Sequence, residues 1–428
     1  MTYQESLDYL FGLIRQGIKL ELENIRRMLD YFGNPQLKIP TIHIAGTNGK
    51  GTTAACVESI LRASGFRTGL YTSPHLLDFR ERIQVDRRLI APDELAHWIA
   101  VVKRAAEQLD VLPTYFEFST LLAFLYFEQR STDWNIIEVG MGGRLDATNL
   151  CQGRVCLITS ISRDHESSLG SRLTQIAAEK AAIIKHPCTV ICGADDADVL
   201  QVVEEQCRRH GAALHRRGKE FQVTSRSQTL QGQVFDFNEG EIWYKGLELP
   251  MIGWHQANNA GLAVAACTQL AESRITEAAI RTGLKSAQWV GRLELRGSHP
   301  TVLLDVAHNP DSLKQLTAAL SQLFPLKRKI WVFGIMKDKP LADIAKIISS
   351  HADYWIATRP NQERSASPEQ IEAALAPAGK PLERIPDVPQ AVERAFQLAA
   401  GEDLIVVTGS LFTVAEAKQV FEHQNHNS

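Results

Sequence analysis

The sequence predicts an α/β protein of two domains, each built on a mostly parallel sheet covered by helices. Three observations carry this. Short β-rich apolar runs alternate with helical segments from residue 41 onward, the pattern of βα units. That alternation breaks between about 220 and 250, where short strands follow one another across Gly, Asn and Ser turns. It then restarts after the segment Ser286–Gly297, and a chain of 428 residues is long enough for two or three separate cores.

Taken in order, Leu7, Leu10, Phe11 and Ile14 recur at helical spacing and predict an opening amphipathic helix. Thr41–Ala45 reads as a strand, and 50–64 as a helix that stops at Gly65. Thr68–Tyr71, Trp134–Val139, Val155–Ser160 and Thr189–Cys192 are further strands. Runs at 221–223, 233–237 and 241–244 form the small β subregion. Helices follow at about 255–271 and 277–284. In the second half Thr301–Asp305, Lys329–Phe333, Tyr354–Ala357 and Leu404–Thr408 read as strands. Asp311–Leu323 and Pro389–Ala400 read as helices, with Pro389 in a first turn where a missing N–H costs nothing. The expected domains are 1–286 and 297–428, with 287–296 as linker.

Hydrophobic residues make up 44% and charged residues 22%, which excludes a wholly disordered chain. The formal net charge of −3 does not suit a dedicated nucleic-acid binder or a polybasic membrane protein. No apolar run reaches the ~18 residues of a membrane span. Glu5 and Asp8 interrupt the first ten residues, unlike a signal peptide. The seven cysteines form no CxxC pair, so they read as reduced, mostly buried thiols of a cytoplasmic protein.

The sharpest local feature is the run Ile44–Thr53, IAGTNGKGTT, between a predicted strand and a predicted helix. Glycines let backbone N–H groups converge on phosphate oxygens, and the helix N-terminus adds a favourable field. Lys50 would reach the β- and γ-phosphates, and the Thr52 hydroxyl would hold Mg²⁺. The match to G-x-x-x-x-G-K-[ST] is imperfect: Ile44 stands at the first Gly, and Gly51 separates Lys50 from Thr52. Read alone, the run also fits a glycine-rich turn that binds nothing. Beyond neighbouring strand ends lie Ser73, Glu138 and the pair Asp164-His165, which together make a plausible Mg²⁺ site beside the loop. Lys180 sits on a helix that could face the same edge; composition alone would leave it on a solvated face.

These segments resemble the folylpolyglutamate synthase and dihydrofolate synthase family, within the Mur-ligase-like ATP-dependent amide ligases. The resemblance runs from about Ile18 to Ala417. It rests on His43–Thr53, Ser73-Pro74-His75-Leu76 with Arg80-Glu81-Arg82, Thr114–Phe118, Glu138–Asn149 and Ile158–Lys185. Later come Gly253–Ala263, Gly291–Glu294, Leu304–Asp311, Gly334–Lys339 and Thr408–Ala417, in the family's order. It implies a P-loop ATPase-like N-terminal domain, a Rossmann-like C-terminal glutamate-ligase domain, and ligation through an acyl phosphate. The expected substrates are dihydropteroate, folates, L-glutamate and ATP, and the resemblance is to the bifunctional bacterial type.

By the same resemblance, Thr47, Asn48, Gly49, Lys50, Gly51 and Thr52 cradle the ATP phosphates. Asn259 meets the adenine, Arg292 the γ-phosphate and Asp305 the ribose. Ser73, Glu138, His165 and Lys180 hold Mg²⁺, two ions being expected, with Lys180 carbamylated to N6-carboxylysine. Lys50, Glu138, His165, Lys180 and Arg292 are the catalytic set. The pterin would lie on Ile18, Lys19, Leu20, Thr114, Tyr115, Phe116, Glu117, Leu145, Asp146 and Ala147, although a core role suits Phe116 and a helix cap suits Ser410. His308 and Ser410 would take the glutamate. Ser162-Arg163 replace the family's usual Gly-Leu. A monomer is expected, with no nucleic-acid or membrane partner. A monofunctional synthase, a ligase for another pterin, and a P-loop ATPase switch are the competing functions.

Overall fold

The structure, a computed structural model, describes residues 1–17 and 21–425. The chain divides into two compact units: 1–227 with 234–250 and 256–288, and 228–233 with 251–255 and 289–428.

The first unit holds an eight-stranded sheet. Its strands are β1 (Thr41–Ala45), β2 (Thr68–Tyr71), β3 (Ile83–Val85), β4 (Arg88–Leu89), β5 (Trp134–Glu138), β6 (Gly153–Ile158), β7 (Thr189–Cys192) and β8 (Ala213–Arg216). Their order is β4-β3-β2-β5-β1-β6-β7-β8. The six strands from β2 to β8 in that order run parallel, and β3 and β4 add an antiparallel edge. All residues of β1, β2 and β5 are buried, as strands covered on both faces must be. The helix Tyr115–Gln129 is apolar on every side and is buried nearly throughout. With Tyr71, Phe118, Phe124 and Phe127 it builds the core beneath one face of the sheet.

Helix ends follow local chemistry. Asp196 caps Ala197–His210 by accepting the Val199 N–H, Arg208, Arg209 and His210 fill the last turn, and Gly211 closes it at φ +64°. The opening helix spans Tyr3–Gly12, shorter than the apolar spacing implied. Leu10 is buried, Phe11 is exposed within the helix, and Ile14 is exposed in the 3₁₀ turn that follows it.

The three runs of the β subregion are longer than the sequence pattern showed: β9 (Phe221–Thr229), β10 (Gly232–Glu239) and β11 (Ile242–Leu249), ordered β11-β10-β9. Their polar outer positions hid the strand ends.

The second unit carries β12 (Glu294–Arg296), β13 (Thr301–Leu304), β14 (Lys329–Phe333), β15 (Tyr354–Ala357), β16 (Leu382–Arg384) and β17 (Leu404–Thr408). The order is β12-β13-β17-β14-β15-β16, parallel except for β12. Residues 294–296, inside the segment read as linker, are thus an edge strand. Trp331 and Trp355 pack at 5.1 Å between ring centroids in this unit's core.

Candidate active site: a phosphate loop with a buried lysine

The central position of β1 decides the site. β5 and β6 flank it, so three strand ends meet: Glu138 stands in register with Ile44, and Ile158 with Ala45. The loop Gly46–Gly49 leaves β1 here and enters the helix Lys50–Ala63, with Gly49 as its cap at φ +89°. First-turn N–H groups have no partner within a helix, so this end presents donors to an anion.

The loop is held by the segment after β6. The Thr47 N–H donates to Ser160 O (2.7 Å), the Asn48 N–H to Ser160 Oγ (3.1 Å), and Thr159 Oγ1 to Asn48 O (2.7 Å). Ser162, one of the departures from the family pattern, also takes part: its N–H donates to Thr47 Oγ1 and its carbonyl accepts from it, both at 3.1 Å. Two ammonium groups converge on one carbonyl. Lys50 Nζ donates to Gly46 O at 3.1 Å and Lys180 Nζ at 2.9 Å. Lys180 is 5% exposed, which overturns the solvated face that composition suggested. Burial, and secondly the Lys50 charge, lower its pKa to about 7. Thr52 is buried behind the loop.

Glu138 is buried at the end of β5, and its Oε2 accepts the N–H of Ser73, which follows the adjacent β2 (3.2 Å). His165 lies on the other side of the loop, exposed, at φ +52°. Among the described residues no three His, Cys, Asp or Glu converge as a preformed metal cage. Glu138 is one buried carboxylate at this edge, and Mg²⁺ is commonly held through one or two carboxylates with phosphates and water. Asn259 comes against the loop: a Cβ on Gly49 would fall 2.4 Å from its Oδ1.

The residues expected to hold a pterin divide. Ile18, Lys19 and Leu20 lie outside the described residues. Thr114 and Glu117 form a reciprocal cap on their helix, at 2.7 and 3.2 Å. Their pairing is therefore structural, while Glu117 Oε1 and the Tyr115 hydroxyl are buried with no partner among the described residues. Phe116 is half-buried and lies against Gly140, where a Cβ would meet its ring at 2.4 Å. Asp146 is buried between the Met141 N–H and Thr148, and burial raises its pKa. Leu145 and Ala147 flank it. The structure adds residues that sequence reasoning did not assign. Phe11, His75 and Phe79 surround Tyr115, and the Arg82 guanidinium stands 5.2 Å from the Tyr115 ring centre. His75 and Arg82 were legible only as parts of a matching segment, and Phe11 only as an apolar position of the opening helix.

In the second unit, Asp305 is buried and accepts the N–H groups of Leu293 and Ala307, each at 2.8 Å. Burial raises its pKa against the pull of Arg292. His308 Nδ1 is 2.8 Å from Val306 O. Ser410 is buried, and its Oγ accepts the Thr413 N–H at 3.0 Å, the cap geometry that the sequence also allowed.

Two domain models match the chain: the Mur ligase middle domain over residues 44–267 and the Mur ligase glutamate ligase domain over 291–411. A relative from Bacillus subtilis, named dihydrofolate synthase/folylpolyglutamate synthase, is 32% identical over 98% of this chain and 99% of its own length. The chain belongs to the dihydrofolate synthase/folylpolyglutamate synthase family of Mur ligases. Members of this family are ATP-dependent ligases. The E. coli FolC structure in complex with DHPP and ADP superposes with a TM-score of 0.92 at 32% identity, covering 99% of both chains. A family member from Yersinia pestis, complexed with AMPPNP and Mn ion, superposes at 0.89, with 32% identity over 99% of this chain and 98% of that one.

Proposed function

We propose that the chain joins L-glutamate to dihydropteroate and to folates at the expense of ATP. The observation that carries this is the meeting of the phosphate loop, Glu138 and Lys180 at one sheet edge, in a chain related over its whole length to synthases of that activity. The substrate carboxylate attacks the γ-phosphorus and ADP leaves. The glutamate amine then attacks the acyl carbon of the acyl phosphate, and phosphate leaves. Charge builds on the moving phosphoryl group, and the loop N–H groups with Lys50 are aimed where that charge develops.

Ser73, Glu138 and His165 are assigned to Mg²⁺, which when bound neutralises phosphate charge. Lys180 is assigned to carbamylation: its neutral amine adds to CO₂, a proton is lost, and the cation becomes an anion. The lowered pKa supports this, since only the free amine reacts. For Asn259, Arg292, Asp305, His308 and Ser410 we keep the nucleotide and glutamate roles that the family resemblance implies. Phe116, Tyr115 and the Leu145–Ala147 loop are kept for the pterin, whose flat ring suits aromatic stacking. We also read the protein as a cytoplasmic monomer. Its seven free thiols support a reducing compartment; light scattering tests the oligomeric state.

The deciding experiment is ADP formation with dihydropteroate or tetrahydrofolate, each with and without L-glutamate. Turnover that requires both substrates is expected. ADP release that needs neither would make the protein an ATPase switch.

A further inference from the structure

We propose that Cys188 is a thiol-modification site for small hydroperoxides, reached through a cleft at the sheet edge opposite the phosphate loop, and that Cys156 is the sulfur that captures its oxidised form. The cleft is an open depression of about 530 Å³ beside the starts of β1, β6 and β7, and its wall includes Gln36, Arg154, His186, Cys188 and Gln269. Of seven free cysteines six are buried; Cys188 is half-buried and lines this cleft.

The wall is polar and incompletely satisfied. Gln36 is 5% exposed, and its Nε2 donates to Asn34 Oδ1 at 2.9 Å while its Oε1 accepts no hydrogen bond from the described residues. His186 Nε2 is likewise buried without a partner. Buried polar atoms normally find partners, so Gln36 and His186, both residues of this wall, each keep an unmet polar atom. A hydroperoxide supplies both a donor and an acceptor.

The chemistry behind the wall fits that guest. Cys188 Sγ lies 3.9 Å from Cys156 Sγ. Cys156 is fully buried on β6. Lys185 is anchored behind the pair, donating to Asn149 O and to Cys151 O (2.6 Å). The hydrogen bond with Cys156 holds the Cys188 thiol below its ordinary pKa, against the effect of burial and helped by Lys185, while the same bond and burial push Cys156 up. The half-buried Cys188, which lines the cleft, is the nucleophile by position, and the fully buried Cys156 behind it is its reserve. The Cys188 thiolate attacks the outer peroxide oxygen, the O–O bond breaks, and the alkoxide or hydroxide leaves and takes a proton. Sulfur is oxidised by two electrons and the peroxide is reduced. Cys156 then loses its proton and attacks the sulfenic sulfur; the S–S bond forms as the S–O bond breaks, and water leaves.

The test uses the folded full-length protein. Brief N-ethylmaleimide treatment followed by peptide mapping is expected to label Cys188 roughly tenfold faster than any other cysteine. Hydrogen peroxide is expected to remove two hydrogens from the intact mass and yield a bridged Cys156–Cys188 peptide. In Cys156→Ala the product is instead one added oxygen on Cys188, captured by dimedone; Cys188→Ser gives neither. Labelling spread over several cysteines, or an unchanged mass after peroxide, overturns the site. Sulfenic acid persisting on wild-type Cys188 without a bridge overturns the role of Cys156. Wild-type mapping decides both even if Cys156→Ala fails to fold.

Discussion

Gly46→Ala is the substitution whose effect the structure defines most closely. Gly46 sits at φ +149°, and a Cβ there would lie 1.9 Å from Thr159 Oγ1 and 3.1 Å from Thr159 N. The backbone N–H of Thr159 is committed to Ala45 O, so the strand cannot move aside. The hydroxyl must rotate away, which breaks its 2.7 Å bond to Asn48 O. Losing such a bond costs about 1 kcal/mol, and the unfavourable φ about 1–3 kcal/mol. A destabilisation of about 2–4 kcal/mol is expected. Function should suffer more than stability, because Gly46 O orients both Lys50 and Lys180. We expect ADP affinity to fall by about tenfold or more, the equivalent of 1.4 kcal/mol. Urea titration and calorimetric titration with ADP measure the two effects. Gly12→Ala is the control: nothing lies within 4 Å of that Cβ, and stability should rise by up to about 1 kcal/mol. An unchanged urea midpoint and an unchanged ADP affinity in Gly46→Ala would refute the reasoning.

Lys50→Ala should lower ligation on the order of 10²-fold with an intact circular dichroism spectrum; near-normal turnover would remove the loop from the mechanism. Lys180→Arg should be inactive, because a guanidinium cannot be carbamylated, whereas Lys180→Ala should regain part of its activity with added short carboxylic acids. An active Lys180→Arg enzyme would sink the carbamate. His43 is wholly buried on β1 with Nε2 2.9 Å from Thr148 Oγ1, and burial lowers its pKa from 6.5 to about 3. Below pH 6.5 the unfolded chain takes up a proton that the native site refuses, so stability falls on acidification, by about 2 kcal/mol at pH 5. His43→Gln should flatten the stability profile between pH 6.5 and 5 by one proton; equal slopes would assign the acid sensitivity elsewhere.

Much of the fold and part of the site could be read from neighbouring residues alone. Apolar β-rich runs, capping residues and glycine stops are local signals, and they located the central parallel strands of both sheets and the helix after the phosphate loop. The short strands β3, β4, β8, β12 and β16, at or next to the sheet edges, escaped, since two to four residues are too few to show a period. The loop between β1 and its helix was equally legible, because strand, glycines, lysine and helix start are contiguous.

What the sequence could not decide is which distant segments share an edge. Strand order is set by nonlocal pairing. Placing β1 between β5 and β6 is what brings Glu138 and the Thr159–Ser162 segment to the loop, and β2 beside β5 brings Ser73 to Glu138. By composition Lys180 was any helix lysine; packing buries it against Gly46 O, and that burial is the main cause of its lowered pKa. Thr114, Glu117 and Ser410 carry residue types that serve equally as ligands or as caps, and only their hydrogen bonds show the caps. Cys156 and Cys188 are 32 residues apart in the chain and 3.9 Å apart at sulfur, because β6 and β7 are neighbours in the sheet. Composition and local spacing determined the elements and the phosphate loop; tertiary packing, through burial and contact between remote strands, decided their chemistry.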